Sequence, residues 1–158
     1  MVNDSIELLN SRLPVYVKKI FNNYGSLISI DCGESPLPNK DVTFSIFVYL
    51  CDWKIYQGNK ILLTSSFRSK EKSKRILAYL KDVGGKIIGI EFCEPKQTIT
   101  IKFEKQIMIE LYPNLKYYSE EDDLVTFFMQ GERALSYSPK EKFYFEVDGK
   151  ICEIEQID

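Results

Sequence analysis

The stretch Lys86–Tyr112, KIIGIEFCEPKQTITIKFEKQIMIELY, decides the fold class. Within it apolar and polar residues alternate, and two short breaks interrupt the alternation. Lys86–Cys93, Gln97–Phe103 and Gln106–Tyr112 each read as a strand with a period of two. The turns at Pro95 and Glu104-Lys105 are too short for parallel crossovers, so the three strands form an antiparallel meander.

Upstream, Lys70–Val83 carries Ile76, Leu77, Leu80 and Val83 at helical spacing and reads as a helix. Gly84-Gly85 terminates it. Gly84-Gly85-Lys86 is a helix end rather than a phosphate loop, because a phosphate loop follows a strand and opens a helix. Earlier still comes Thr43–Tyr56, TFSIFVYLCDWKIY, the densest aromatic and β-branched run, with the sole tryptophan, Trp53. Phe44, Ile46, Val48 and Leu50 share one strand face, and Ser45, Phe47, Tyr49 and Cys51 the other. This reads as a central strand broken near Asp52. Trp53–Tyr56, a turn at Gln57-Gly58-Asn59 and Lys60–Ser65 then form a hairpin.

At the N-terminal side, Ile6, Leu8, Leu9, Leu13, Val17, Ile20 and Phe21 recur at three and four. The expectation is a short helix interrupted by Pro14, with a second helix starting there and ending before Gly25. Ser26–Cys32 alternates as a strand, and Gly33–Asp41 is a loop. Downstream, Pro113–Asp123 is a loop, followed by strands at Leu124–Met129, Ala134–Ser138, Lys142–Val147 and Ile151–Ile154. The frame QG-x-basic-x-L-x-x-S occurs at Gln57–Ser65 and again at Gln130–Ser138, which marks hairpin turns at Gly58 and Gly131. The expected architecture is therefore α+β: a single domain, 1–158, dominated by a twisted antiparallel sheet. An N-terminal helical segment and one further helix at about 70–83 complete it.

Composition limits the chemistry. The 158 residues suffice for one domain with its own core, and ten Tyr, ten Phe and one Trp argue against disorder. No apolar run approaches the roughly 20 residues that span a bilayer, and the first residues lack a signal-peptide pattern. A cytoplasmic protein with no membrane partner is expected. With no histidine, the commonest general base and metal ligand is missing. Cys32, Cys51, Cys93 and Cys152 lie far apart, each in or beside an apolar run, and read as reduced, buried thiols. No nucleophile–base constellation stands out, so the expectation is a non-enzyme without cofactor or metal. Arg68, Lys70, Lys72, Lys74, Arg75 and Lys81 form a basic cluster, read here as a solvated helix face rather than a nucleic-acid contact.

Charge is divided along the chain. Residues 1–106 carry 16 Lys/Arg against 11 Asp/Glu, and residues 107–158 carry 5 against 12. The acidic run Glu120-Glu121-Asp122-Asp123, next to Tyr117-Tyr118, is the candidate partner-binding site. Tyrosines supply rigid contact area and carboxylates steer a basic partner.

The order of elements resembles the small α+β immunity proteins of bacterial toxin–immunity and contact-dependent inhibition systems. The resemblance spans Tyr24–Val147: a helix ending at Tyr24-Gly25, the strand Ser26–Cys32, a Pro-containing loop, the aromatic strand with Tyr49-Leu50-Cys51-Asp52-Trp53-Lys54-Ile55, then helix, Gly pair and meander over Ile76–Tyr112. It implies a cytoplasmic protein that binds one cognate toxin domain and blocks it. The rival expectation is a ligand-binding or regulatory α+β module, its ligand held against the aromatic sheet around Trp53.

Overall fold

Pro14 sets the first architectural turn, and it does so differently from the sequence expectation. In the computed structural model, which describes residues 2–22, 27–37, 41–66, 69–147 and 150–151, helix α1 (Val2–Ser11) stops short of the Leu13–Pro14 peptide, which is cis. The chain then runs on as strand β1 (Val15–Asn22), where a second helix was expected. VYVKKIFN is rich in β-branched and aromatic residues, and Val15 and Val17 point inward at alternate positions. Pairing with the next strand, β2 (Ile28–Gly33), overrides the weak helical spacing.

The remaining elements are β3 (Phe44–Val48), β4 (Asp52–Gln57), β5 (Lys60–Thr64), α2 (Lys70–Tyr79), β6 (Lys86–Cys93), β7 (Thr98–Phe103), β8 (Ile107–Tyr112), β9 (Val125–Met129), β10 (Leu135–Ser138), β11 (Lys142–Val147) and β12 (Lys150–Ile151). A π turn, Leu80–Gly84, extends α2 to Gly85. Ser69 caps α2, its hydroxyl accepting from the Lys72 amide at 3.3 Å. All strand pairs are antiparallel, in the order β12-β11-β10-β9-β3-β2-β1-β6-β7-β8-β4-β5. The fold is α+β, with the expected β6–β8 meander at the centre of one half. The last expected strand, Ile151–Ile154, is described only at Ile151, within β12; the rest of it, with Cys152, lies outside the described residues, as does Arg68 of the basic cluster.

The aromatic run Thr43–Tyr56 does not form one interrupted strand. β3 pairs with β2 and β9, whereas β4 pairs with β8 and β5 in the other half of the sheet. The connection changes the phase of the pleat. Phe44, Ile46 and Val48 face the core, Leu50 turns out at 38 % exposure, and Cys51, Trp53 and Ile55 face inward. Leu50 therefore leaves the face of Phe44, Ile46 and Val48, and Cys51 leaves that of Ser45, Phe47 and Tyr49, against the expected assignment of each set to one strand face. The Cys51 thiol reaches the Leu124 carbonyl at 3.6 Å, and the Trp53 amide donates to Ser65 Oγ at 3.0 Å. Cys93 is exposed, against the expectation of four buried thiols.

The sheet parts where β1 meets β6, which pair only at Val15–Ile87 and Tyr16–Lys86. Beyond that point the two halves fold over each other, and Phe92 of β6 packs on Tyr137 and Phe143 at 5.1 and 5.6 Å between ring centroids. Gln97 locks the contact, its side-chain carbonyl accepting from Tyr137 Oη at 2.8 Å and Lys142 Nζ at 3.0 Å. Helix α1 covers the opening, and Arg12 donates to the Gln130 carbonyl at 2.8 Å. A continuous core of aliphatic and aromatic side chains from both halves fills the space between them.

Candidate functional site

The two halves present different outer faces. In the β2-β3-β9-β10-β11 half, cross-strand register places Ser29, Phe47, Thr126, Ser136 and Tyr144 in one row. Ser45 and Phe128 face each other in the next. Phe47 stacks edge-on against Phe128 at 5.1 Å and against Tyr49 at 6.0 Å. Between these rings and Tyr144 the small residues make a floor, where the Thr126 and Ser136 hydroxyls share a 2.7 Å hydrogen bond.

A cleft of about 350 Å³ opens along this face, lined by Tyr49, Leu50, Glu121, Asp122, Asp123, Thr126, Phe128 and Glu146. Among the described residues that line it, four of the eight are carboxylates and none is a lysine or arginine. The acidic loop is held in a defined shape. Ser119 and Asp122 bond reciprocally, with the Ser119 amide donating to Asp122 Oδ2 at 2.8 Å and the Asp122 amide to the Ser119 carbonyl at 3.1 Å. Asn114 anchors the other end by donating to Asp52 Oδ2 at 2.7 Å. Lys140 Nζ meets Glu121 at 2.8 Å at the rim, and its amide bonds the Glu120 carbonyl. At the inner end, Tyr144 Oη donates to Asp123 Oδ1 at 2.6 Å.

Crowded carboxylates in a half-covered cleft shift one another. Burial raises the Asp123 carboxyl above its ordinary value, the Tyr144 hydrogen bond pulls it back, and the Glu146 and Asp122 charges raise it further. Tyr144 and Tyr49 are both pushed up, first by burial and then by the same acids. Lys140 holds the Glu121 carboxyl below its usual range. The site thus concentrates negative charge beside exposed aromatic surface, an arrangement that attracts cations.

The structure gathers only part of the expected site. Glu121, Asp122 and Asp123 line the cleft. Glu120 is exposed outside it, and Tyr117, 71 % exposed, lies under Lys116 Nζ, 5.5 Å from its ring. Tyr118 is half-buried, its amide bonded to the Asn114 carbonyl. Sequence reasoning missed Phe47, Tyr49, Phe128, Tyr144 and Glu146. The available signal was the outward phase of the strands, where aromatics stand at positions that usually carry polar residues. Trp53, the focus of the rival expectation, is 2 % exposed and enclosed by the core.

Other chemistry is sparse. Burial pushes the Cys32 thiol up to about 12 and raises the Cys51 thiol as well, so both stay protonated at neutral pH. Among the described residues no group of three or more Cys, Asp or Glu is placed to hold a metal ion, and no helix is long and apolar enough to cross a membrane. Comparison of the chain with protein-family models, curated proteins and solved structures returned no match.

Proposed function

We propose that the protein is a non-enzymatic binding protein of the immunity type, which captures a cognate bacterial toxin domain and neutralises it in the cytoplasm. The observation that carries this reading is the cleft in which Glu121, Asp122, Asp123 and Glu146 surround exposed aromatic rings. Such a surface suits a basic protein partner, which it would steer at long range and hold at short range. The ordered loop supports the reading too, since a preformed site loses less entropy on binding than a loose one.

Replacing Glu120, Glu121, Asp122 and Asp123 by Gln or Asn, and titrating the product of the adjacent upstream gene at several ionic strengths, tests the reading. Affinity should fall by about tenfold or more, and its dependence on salt should flatten. Unchanged affinity with an unchanged salt dependence would exclude the acidic loop as the interface.

A further inference from the structure

We infer that the outer face of β3, β9 and β11 docks a protein segment that presents an arginine beside an apolar side chain. The inference rests on the binding reading above and names the chemistry of the contact. Phe128 is 41 % exposed and is backed by Phe47, with Tyr49 beside it. Asp123 and Glu146 stand across the same cleft. A guanidinium can lie flat on a ring while its edge donates two hydrogen bonds to a carboxylate, which the ammonium of lysine cannot do. An apolar neighbour on the same segment would cover Phe128 and Leu50.

Charge balance points to an external cation. On the outer face of the other half, two lysines are engaged from within: Lys102 pairs with Glu91, and Lys54 lies over Tyr112, 5.4 Å from its ring. On the aromatic face the charged groups lining the cleft are, among the described residues, carboxylates, and Lys140 pairs with Glu121. The polar floor favours coverage as well. Thr126 and Ser136 already bond each other, Ser45 donates to Asp31 at 2.9 Å, and Tyr144 to Asp123. A partner that excludes water here leaves the half-buried Ser45 and Tyr144 hydroxyls satisfied, and those of Thr126 and Ser136 are already buried.

The probe is a short peptide alternating arginine and leucine, titrated against the whole protein by fluorescence anisotropy and by amide chemical shifts. Saturable binding is expected, with shifts centred on Tyr49, Thr126, Phe128, Tyr144 and Glu146. Phe128→Gln and Glu146→Gln, both at accessible positions, should each weaken it about tenfold, as should exchanging arginine for lysine. Shifts centred elsewhere, no saturation up to about 1 mM, or equal affinity for the lysine peptide would overturn the inference. The toxin arm separates the two readings. If Phe128→Gln leaves toxin affinity intact, the docking face falls and the immunity reading stands. If the peptide binds as expected and the upstream product does not, the docking face stands and the immunity reading falls.

Discussion

Tyr144 Oη donates to Asp123 Oδ1 at 2.6 Å, and through this bond β11 holds the inner end of the acidic loop. The bond joins a strand hydroxyl to a carboxylate that burial alone would leave reluctant to ionise. It therefore favours the ionised form of that carboxyl. Tyr144→Phe retains the ring and removes the donor. Asp123 should then titrate at a higher pH, because the one influence lowering it is gone. Stability should fall by about 1 kcal/mol, the typical net loss for such a bond. Carboxyl-carbon NMR titration of wild type and variant reads the first effect and urea unfolding the second; an Asp123 titration that moves down would contradict the assignment.

Asp123 also opposes stability where it serves the cleft. Its folded pKa lies above the ordinary 3.8, so the protonated form suits the folded state better. The stability it contributes is full below pH 3.8 and is lost as pH rises through the elevated folded value. Asp123→Asn should therefore stabilise the protein at pH 7 and make little difference at pH 3. Solvent screens this half-exposed site, so the gain should stay below about 1 kcal/mol. Thermal melts at both pH values test the sign, and the same variant should bind a basic partner more weakly.

Local periodicity reported most of the β-structure faithfully. Lys86–Cys93 and Lys142–Val147 match β6 and β11 at both ends, since their alternation is bounded by turn residues. The repeated QG frame located two hairpins, where Gly58 and Gly131 adopt φ of +58° and +85°. Alanine at either position should cost about 1 kcal/mol, because side chains disfavour positive φ. Gly131 should be the more sensitive, because +85° lies outside the small left-handed region that side chains tolerate and +58° lies within it, while the Cβ added at Gly58 meets Gln106 Oε1 only at an ordinary 3.4 Å. Denaturation midpoints of the two variants rank them.

What stayed illegible depends on residues far apart in the chain. Val15–Asn22 has a helical spacing as well as a β-rich composition, and only its pairing with β2 decides between them. The cleft combines β3, the 119–123 loop, β9 and β11, and no local pattern announces which strands become neighbours. The acidic run was visible because its charges are consecutive. Its partners Tyr49, Phe128 and Glu146 are scattered and became a site only through the register of β3 with β9 and the proximity of β11.

Asn10 substitutes for a missing strand. Beyond Ile87, β1 no longer pairs with β6, and Asn10 of α1 takes over the open edge. Its Nδ2 donates to the Ile90 carbonyl at 2.8 Å, and its Oδ1 accepts from the Ile90 amide at 3.0 Å. Asn10→Ala would strand both backbone groups in a partly buried position, at a cost of about 2–3 kcal/mol. The urea midpoint should drop with little change in slope, since the unfolded chain exposes the same surface. Asn10→Asp keeps the acceptor but sets a carboxylate oxygen against the Ile6 and Ile90 carbonyls, so at neutral pH it should also be less stable than wild type.

Tyr137 should contribute to the alkaline limit of the fold. Its ring is fully buried against Phe92 and Phe143, and its hydroxyl donates to Gln97. Burial, helped by the Glu94 charge, pushes its pKa up from 10.0 to about 12. A raised folded pKa means that this stability is complete below pH 10 and is lost as pH climbs towards 12. Stability should thus decline across that window, with Tyr137, like the other tyrosines that burial pushes up, ionising in the ultraviolet later than an ordinary tyrosine. Tyr137→Phe removes the titration and leaves Gln97 with Lys142 as its remaining donor. The variant should be less stable at pH 7 by about 1 kcal/mol, yet lose less stability between pH 10 and 12 than wild type. An equal alkaline loss in both proteins would show that the contact joining the two halves does not govern that limit.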